Sequence, residues 1–249
     1  MSRFSNKLAI VTGAGSGIGK ATAMLLAAEG ATVACVDLRG ADQTAENIDA
    51  AGAKALSYAC DVGDAAQVEA TVNAAVTALG GLDIVCNIAG IGHFAWSHEE
   101  TPEAFDQVMR VNLNGTFYVC RYALPHFLAQ NSGVIINTAS NAGYQGLPWS
   151  AAYCSSKGAV VQLTRALSFE YRKTGIRVNA VAPGGTNTNI VHSFSTLPDG
   201  ADHKEMGKMM SPLGVAEPSE MAEAFAYIAS DAARYMTGAV INLDGGLTT

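Results

Sequence analysis

Leu8-Ala-Ile-Val11, Thr12-Gly-Ala-Gly-Ser-Gly-Ile-Gly19 and Lys20-Ala-Thr-Ala-Met-Leu-Leu-Ala-Ala-Glu29 follow one another without interruption near the start of the chain. The first block is a short apolar run without alternation, the pattern of a strand covered on both faces. The third has helix-forming composition, with an apolar stripe predicted at Ile18, Ala21, Leu25 and Ala28. Between them, Gly13, Gly17 and Gly19 give T-G-x-x-x-G-x-G rather than the stricter G-x-G-x-x-G. Glycines let a backbone turn tightly and let an anion approach the helix N-terminus, where unpaired N–H groups and the dipole favour it. Strand, glycine turn and helix in this order is the context a dinucleotide pyrophosphate requires, whereas a plain glycine loop would need no such flanks.

Asp37 ends the next apolar run, Ala31-Thr-Val-Ala-Cys-Val36, about twenty positions after the turn. A carboxylate at that strand tip can accept both ribose hydroxyls of NAD and would repel the 2′-phosphate of NADP. Position 16 inside the turn is Ser, not a base, and only Arg39 could rescue NADP. An N-cap or turn role is the other reading of Asp37. NAD is therefore expected, with NADP the lesser alternative.

Tyr153-Cys-Ser-Ser-Lys157 places a phenol and an ammonium on one helix face. A nearby cation favours the phenolate and would lower a pKa that ordinarily lies near ~10. The pair reads as a tuned general acid/base, and Ser140, at the end of a strand-like run, supplies a hydroxyl to go with it.

The rest of the chain alternates. Strand-like runs lie near 7–12, 31–37, 54–60, 82–87, 133–139, 176–182 and 238–243. Helical runs lie near 17–29, 41–51, 64–79, 101–129 (two helices, with a break near Gly115), 150–173 and 217–230. This predicts an α/β, Rossmann-type doubly wound parallel sheet of about seven strands with helices on both faces. Ligands of such sheets sit at the carboxyl ends of the strands, where Gly13, Asp37, Asp61, Asn87 and Ser140 all fall.

Composition agrees with one domain over 1–249. Apolar content is 49%, and no linker or low-complexity segment marks a boundary. A net charge of −7 argues against nucleic acid as a partner. No apolar run reaches the length of a membrane span. Ser2–Lys7 leads straight into the first strand, so no targeting segment is expected. Cys35, Cys60, Cys86, Cys120 and Cys154 are odd in number and lack a C-x-x-C pair, which suits reduced thiols and a cytoplasmic location. His93 and His98 do not make a convincing metal set, and none is expected.

Taken together, the chain resembles the short-chain dehydrogenase/reductase family in its compact single-domain branch, over essentially its whole length. Thr12 to Gly19 resembles the cofactor turn, with Ser16 and Ile18 among its contacts. Asp61-Val62 resembles the pair that meets adenine. Asn87-Ile-Ala-Gly90 resembles N-N-A-G, with Ile88 replacing the second Asn, so that Asn87, Ala89 and Gly90 are expected at the cofactor. Pro183-Gly-Gly-Thr-Asn-Thr188 fits the P-G-x-x-x-T segment beside the nicotinamide and implies Pro183, Gly184, Thr186 and Thr188. Leu243-Asp-Gly-Gly246 resembles the family's C-terminal V-D-G-G.

The resemblance implies a catalytic tetrad of Asn112, Ser140, Tyr153 and Lys157, with Tyr153 and Lys157 also touching the cofactor. It also implies substrate contacts from Ser140, Tyr153, Asn141 and Trp149, a lid over about 186–215, and a homotetramer. The substrate is expected to be a small-molecule secondary alcohol or ketone, apolar or cyclic. Met206, Met209 and Met210 share a helical face and either cover it or pack the lid. An NADPH-dependent carbonyl reductase of the 3-oxoacyl type is the alternative, opposed by Asp37. A non-catalytic dinucleotide sensor is opposed by the intact tetrad.

Overall fold

The five central apolar runs become strands buried along most of their length, covered by helices on both faces, whereas the two edge strands are only partly covered. In the computed structural model, which describes residues 2–194 and 196–248, seven parallel strands form one sheet in the order β3-β2-β1-β4-β5-β6-β7. Met1, Thr249 and Ser195, the last inside the expected lid, lie outside the described residues. The strands are β1 (Leu8–Thr12), β2 (Thr32–Asp37), β3 (Lys54–Ala59), β4 (Ile84–Asn87), β5 (Gly133–Thr138), β6 (Ile176–Pro183) and β7 (Val240–Leu243). Between them run α1 (Gly17–Ala28), α2 (Ala41–Ala50), α3 (Ala65–Leu79), α4 (Pro102–Met109), α5 (Gly115–Gln130), α6 (Ala151–Tyr171), α7 (Asn189–Ser193), α8 (His203–Gly207) and α9 (Pro218–Ala229). The order reverses between β1 and β4, whose register pairs Val11 with Cys86. That reversal opens the crevice in which such sheets bind ligands.

Local signals set the helix ends. Asp64 caps α3 by accepting from the Ala66 and Gln67 amides, and Gly80 closes it in the left-handed region. Thr101 caps α4 ahead of Pro102, and Glu217 with Glu220 forms a capping box ahead of α9.

Two expectations are corrected. The buried face of α1 is Gly19, Thr22, Ala23, Leu26 and Ala27, not the stripe through Ile18, Ala21, Leu25 and Ala28. The small residues face the sheet and α9, because close packing of a helix against both needs little side-chain bulk. Ile18 and Leu25 border the core and Ala28 is exposed. There is also no break at Gly115. Arg110–Asn114 form a single π turn that carries α4 directly into α5. Gly115 is helical, and its missing Cβ admits the Val62 backbone, whose oxygen would stand 3.0 Å from a methyl there.

Candidate active site

A cleft opens along the carboxyl ends of the strands. Gly13, Ser16, Gly17, Ile18, Gly19, Asp37, Asp61, Val62, Ala89, Gly90, Ser140, Tyr153, Lys157, Pro183, Gly184, Thr186 and Thr188 all line it. The topology thus brings together residues more than 170 positions apart in the chain.

The glycine turn at one end is shaped for an anion. Gly13 has φ +69°, and a Cβ there would lie 2.8 Å from the Ala89 amide nitrogen. A Cβ on Gly19 would lie 2.0 Å from the Gly13 carbonyl oxygen, so the first turn of α1 is pressed onto the loop. Ser16, at the N-cap, is extended and makes no side-chain cap, which leaves the first amides of α1 uncapped by it. Asp37 stands beside the turn. Its carboxylate accepts from the Gly15 amide at 2.9 Å and the Arg39 amide at 3.1 Å. Asp61 accepts from the Gly63 amide at 2.9 Å and pairs with the Arg110 guanidinium at 2.8 Å. These features fit a dinucleotide: an anion cradle at a helix N-terminus, and a carboxylate at the tip of β2.

Ser140, Tyr153 and Lys157 converge at the other end. Ser140 caps a short 3-10 turn (Asn141–Gly143) by accepting from the Ala142 amide at 3.1 Å, and its hydroxyl reaches Asn141 Oδ1 at 3.0 Å. Lys157 is buried, donates from Nζ to the Thr138 carbonyl at 2.8 Å, and stands 5.6 Å from the Tyr153 ring centre. Burial pushes the Tyr153 phenol up to about 12, partly offset by a hydrogen bond with Ser140. Burial also brings the Lys157 ammonium down to about 8. The expectation that Lys157 holds the phenol below its usual range is therefore not met. The ammonium is turned to a carbonyl, and loss of water around the phenolate outweighs its attraction.

Asn112 lies behind this group, in the middle of the π turn. Its Oδ1 accepts from the Ile91 amide at 2.8 Å, and its Nδ2 donates to the Ile91 carbonyl at 2.9 Å and to Ser156 at 3.0 Å. A Cβ on Gly90 would lie 3.3 Å from Asn112 Oδ1 and 3.6 Å from Lys157 Nζ, so the three are neighbours.

Three other expected positions stand off the cleft wall. Asn87 points into the interior, where its Nδ2 donates to Asn137 Oδ1 at 2.9 Å. It belongs to a buried network that continues to Thr164. Asn141 is buried behind Ser140. Trp149, at φ +59°, is buried among aromatic rings, with Phe94 and Trp96 each 5.9 Å away. Other side chains went unread in the sequence. Thr12 accepts from the Ile88 and Ala89 amides at 3.0 and 3.2 Å and so ties the loop after β4 to the glycine turn. Arg110, Leu38, Gln107 and Ile190 line the cleft. The T-G dipeptide was the one available signal for Thr12. The others are fixed by contacts across the fold. His93 pairs with Glu100 at 2.8 Å, and all five cysteines are free thiols.

Comparison with known proteins finds dehydrogenases and reductases over nearly the whole chain. Residues 13–248 match the family model described as enoyl-(acyl carrier protein) reductase. The chain is 38% identical to 2-(S)-hydroxypropyl-CoM dehydrogenase 3 of Xanthobacter autotrophicus, over 99% of this chain and 98% of that one. It is 41% identical to cis-4-hydroxycyclohexanecarboxylate dehydrogenase of Sinomonas cyclohexanicum, over 98% of each. The crystal structure of 3-ketoacyl-(acyl-carrier-protein) reductase from Brucella melitensis complexed with NADH superposes with a TM-score of 0.90 at 35% identity, covering 99% of this chain and all of that one.

Proposed function

The chain belongs to the short-chain dehydrogenase/reductase family and is an oxidoreductase acting on CH–OH groups, and from that premise we propose that it transfers hydride between NAD and a secondary alcohol or ketone, with Tyr153 as general acid/base. The observation that carries this reading is the meeting of Ser140, Tyr153 and Lys157 at one end of a cleft whose other end is the glycine turn beside Asp37. Gly13 to Gly19 would hold the pyrophosphate, Asp37 the adenosine ribose, Asp61 and Val62 the adenine, and Pro183, Gly184, Thr186 and Thr188 the nicotinamide. A bound nicotinamide would supply the hydride carrier. Tyr153 donates its proton to the carbonyl oxygen in reduction; in oxidation it acts as the phenolate, its own proton having first left to solvent, and takes the hydroxyl proton as hydride leaves the carbon. Ser140 hydrogen-bonds the same oxygen and stabilises the charge that grows on it. Lys157 balances the phenolate, and Asn112 holds the loop at Ile91 against which Lys157 sits. A screen of secondary alcohols with NAD and NADP, read by absorbance of the reduced cofactor, tests the reading; no turnover across such a panel would refute it.

NAD preference rests on Asp37. Each charge-assisted hydrogen bond from a ribose hydroxyl to that carboxylate contributes about 1.5–3 kcal/mol when well formed, whereas a 2′-phosphate would meet like charge. Asp37 also braces the Gly15 amide, so Asp37→Ala should loosen the turn for both cofactors. The ratio of their kcat/KM values is therefore the informative readout. It should narrow by at least about tenfold, or 1.4 kcal/mol. A wild type that already favours NADP would show that Arg39 outweighs Asp37.

We further propose a homotetramer. Phe117 on α5 and Phe169 on α6 are 40% and 67% exposed, which leaves large apolar side chains on the two long helices. Ala151 is exposed and Ala159 and Leu163 are half-buried, while Ala152 and Val160 face the core. A monomer mass by light scattering at micromolar concentration would rule it out. No helix among the described residues is long and apolar enough to cross a membrane. The five free thiols support a reducing compartment such as the cytoplasm.

A further inference from the structure

Phe194, just after α7, fills a ring-shaped seat beside Tyr153. Its ring meets Phe94 edge-on with centres 4.8 Å apart, and Tyr153 edge-on at 5.2 Å. The floor of the seat is Gly92. A Cβ there would stand 2.5 Å from Phe194 Cζ and 2.8 Å from Tyr153 Cδ2, so any side chain at 92 would close it. Trp149 backs Phe94 at 5.9 Å, and Trp96 backs Trp149. Two hydrogen bonds hold the segment carrying Phe194 against the loop after β4: Ser193 Oγ to the Gly92 carbonyl at 2.6 Å, and Trp96 Nε1 to the Asp199 carbonyl at 2.9 Å. Phe194 itself is only half-buried, whereas Trp149 is sealed in.

The protein's own ring thus occupies an aromatic slot whose open side adjoins Tyr153, the group that must meet the reacting oxygen. Resting on the reading of Tyr153 given above, we propose that Phe194 is a specificity-determining residue. Its seat between Phe94 and Tyr153 is the subsite for the ring of a cyclic secondary alcohol or ketone. When such a substrate binds, its six-membered ring replaces the Phe194 ring and its oxygen turns to Tyr153 and Ser140. Exchange of ring for ring keeps the slot filled and its edge contacts made. A short open-chain ketone leaves part of the slot empty, or leaves Phe194 in place, and binds less well for that reason.

The test uses a feature of composition. The chain has two tryptophans, Trp96 and Trp149, and both lie in this cluster, so intrinsic tryptophan emission reports on it alone. The full-length protein with NAD is titrated with cyclohexanone and with 2-butanone, and turnover of cyclohexanol and 2-butanol is measured in parallel. Cyclohexanone should change the emission saturably, with half-effect at a concentration at least about tenfold below that of 2-butanone. Phe194→Ala, and separately Phe194→Leu, should widen that ratio by at least about threefold, because the substrate ring no longer has to displace Phe194 while the walls of its seat remain. Binding of NAD by each variant checks that it is folded. If cyclohexanol is turned over but cyclohexanone leaves the emission unmoved, or both variants keep or narrow the wild-type ratio, the seat is refuted and the proposed reaction stands. If the emission responds as expected but no alcohol is turned over with either cofactor, the seat stands and the reaction falls. If neither responds, both fall.

Discussion

Tyr153→Phe should abolish turnover while leaving NADH binding close to that of the wild type. The substitution removes one hydroxyl and keeps the ring, so the edge-on packing of residue 153 against Phe194 at 5.2 Å persists and little volume is lost. Because burial holds the phenol up at about 12, the wild-type group is neutral at pH 7 and its removal discards no charge. Ser140 loses one partner but keeps the Asn141 side chain at 3.0 Å, so no buried hydroxyl is orphaned. What disappears is the proton carrier at the reacting oxygen. Loss of a positioned acid/base typically slows a reaction by ~10²–10⁴, and no other titratable group among those lining the cleft stands beside Ser140 except Lys157, whose Nζ is committed to the Thr138 carbonyl. Steady-state rates with any accepted alcohol, together with NADH fluorescence titration, check both halves. Wild-type turnover would move the acid/base role elsewhere. Lost NADH binding would make Tyr153 a structural residue instead.

What could be read from the sequence is what local pattern encodes. The β1–turn–α1 unit declares itself within about twenty residues, because glycine spacing, an apolar strand and a helix start are all short-range features. Tyr153 and Lys157 are legible for the same reason, lying one helical turn apart. Strand boundaries agree to within about two residues, since parallel strands covered on both faces are marked by unbroken apolar runs. The features left unread depend on contacts between distant segments. Arg110 meets Asp61 across 49 positions, and Thr12 meets the Ile88 amide across 76. Neither separation leaves a periodic trace.

Gly115 looked like a helix break because composition cannot distinguish a glycine that ends a helix from one that admits a neighbouring backbone. The π turn beside it is equally silent, yet it turns Asn112 inward. Asn87 sits at the end of β4 but turns its side chain into the interior, and side-chain direction at a strand end depends on which neighbour takes up its hydrogen bonds. The position of the Tyr153 pKa was misjudged for a related reason. Sequence gives the spacing of the cation but not its burial, and burial decides the sign.

Lys157→Met is expected to have the second large effect, and its pH dependence separates the electrostatic role from a packing one. Lys157 is buried, and its ammonium titrates at about 8 against an ordinary 10.5. A depressed lysine pKa means that folding carries a penalty for burying the charge. Below about 8 both folded and unfolded chains hold the proton and the penalty is complete. Between about 8 and 10.5 the unfolded chain holds a proton that the folded chain has released, so the contribution of Lys157 to stability rises with pH through that window. Other groups act in the opposite sense: burial raises all five cysteine thiols from their ordinary 9.0, so they lower stability above about pH 9, and Tyr153 does so above the ordinary phenol value of 10. In urea unfolding without cofactor, followed from pH 7 to 10, the difference in stability between the protein and Lys157→Met should therefore change by ~2–3 kcal/mol. Lys157→Met, which fills the same space without charge, should lack that contribution and be the more stable protein at pH 7, with the gap closing towards pH 10. Parallel pH curves for the two proteins would refute the assignment. In the same variant, removing a preorganised cation beside the phenol should cost ~10²–10³ in kcat, and NAD affinity should fall because the nicotinamide end of the cleft loses a donor. A variant that is more stable near neutral pH yet nearly inactive would locate the cost of burying Lys157 in the chemistry it serves.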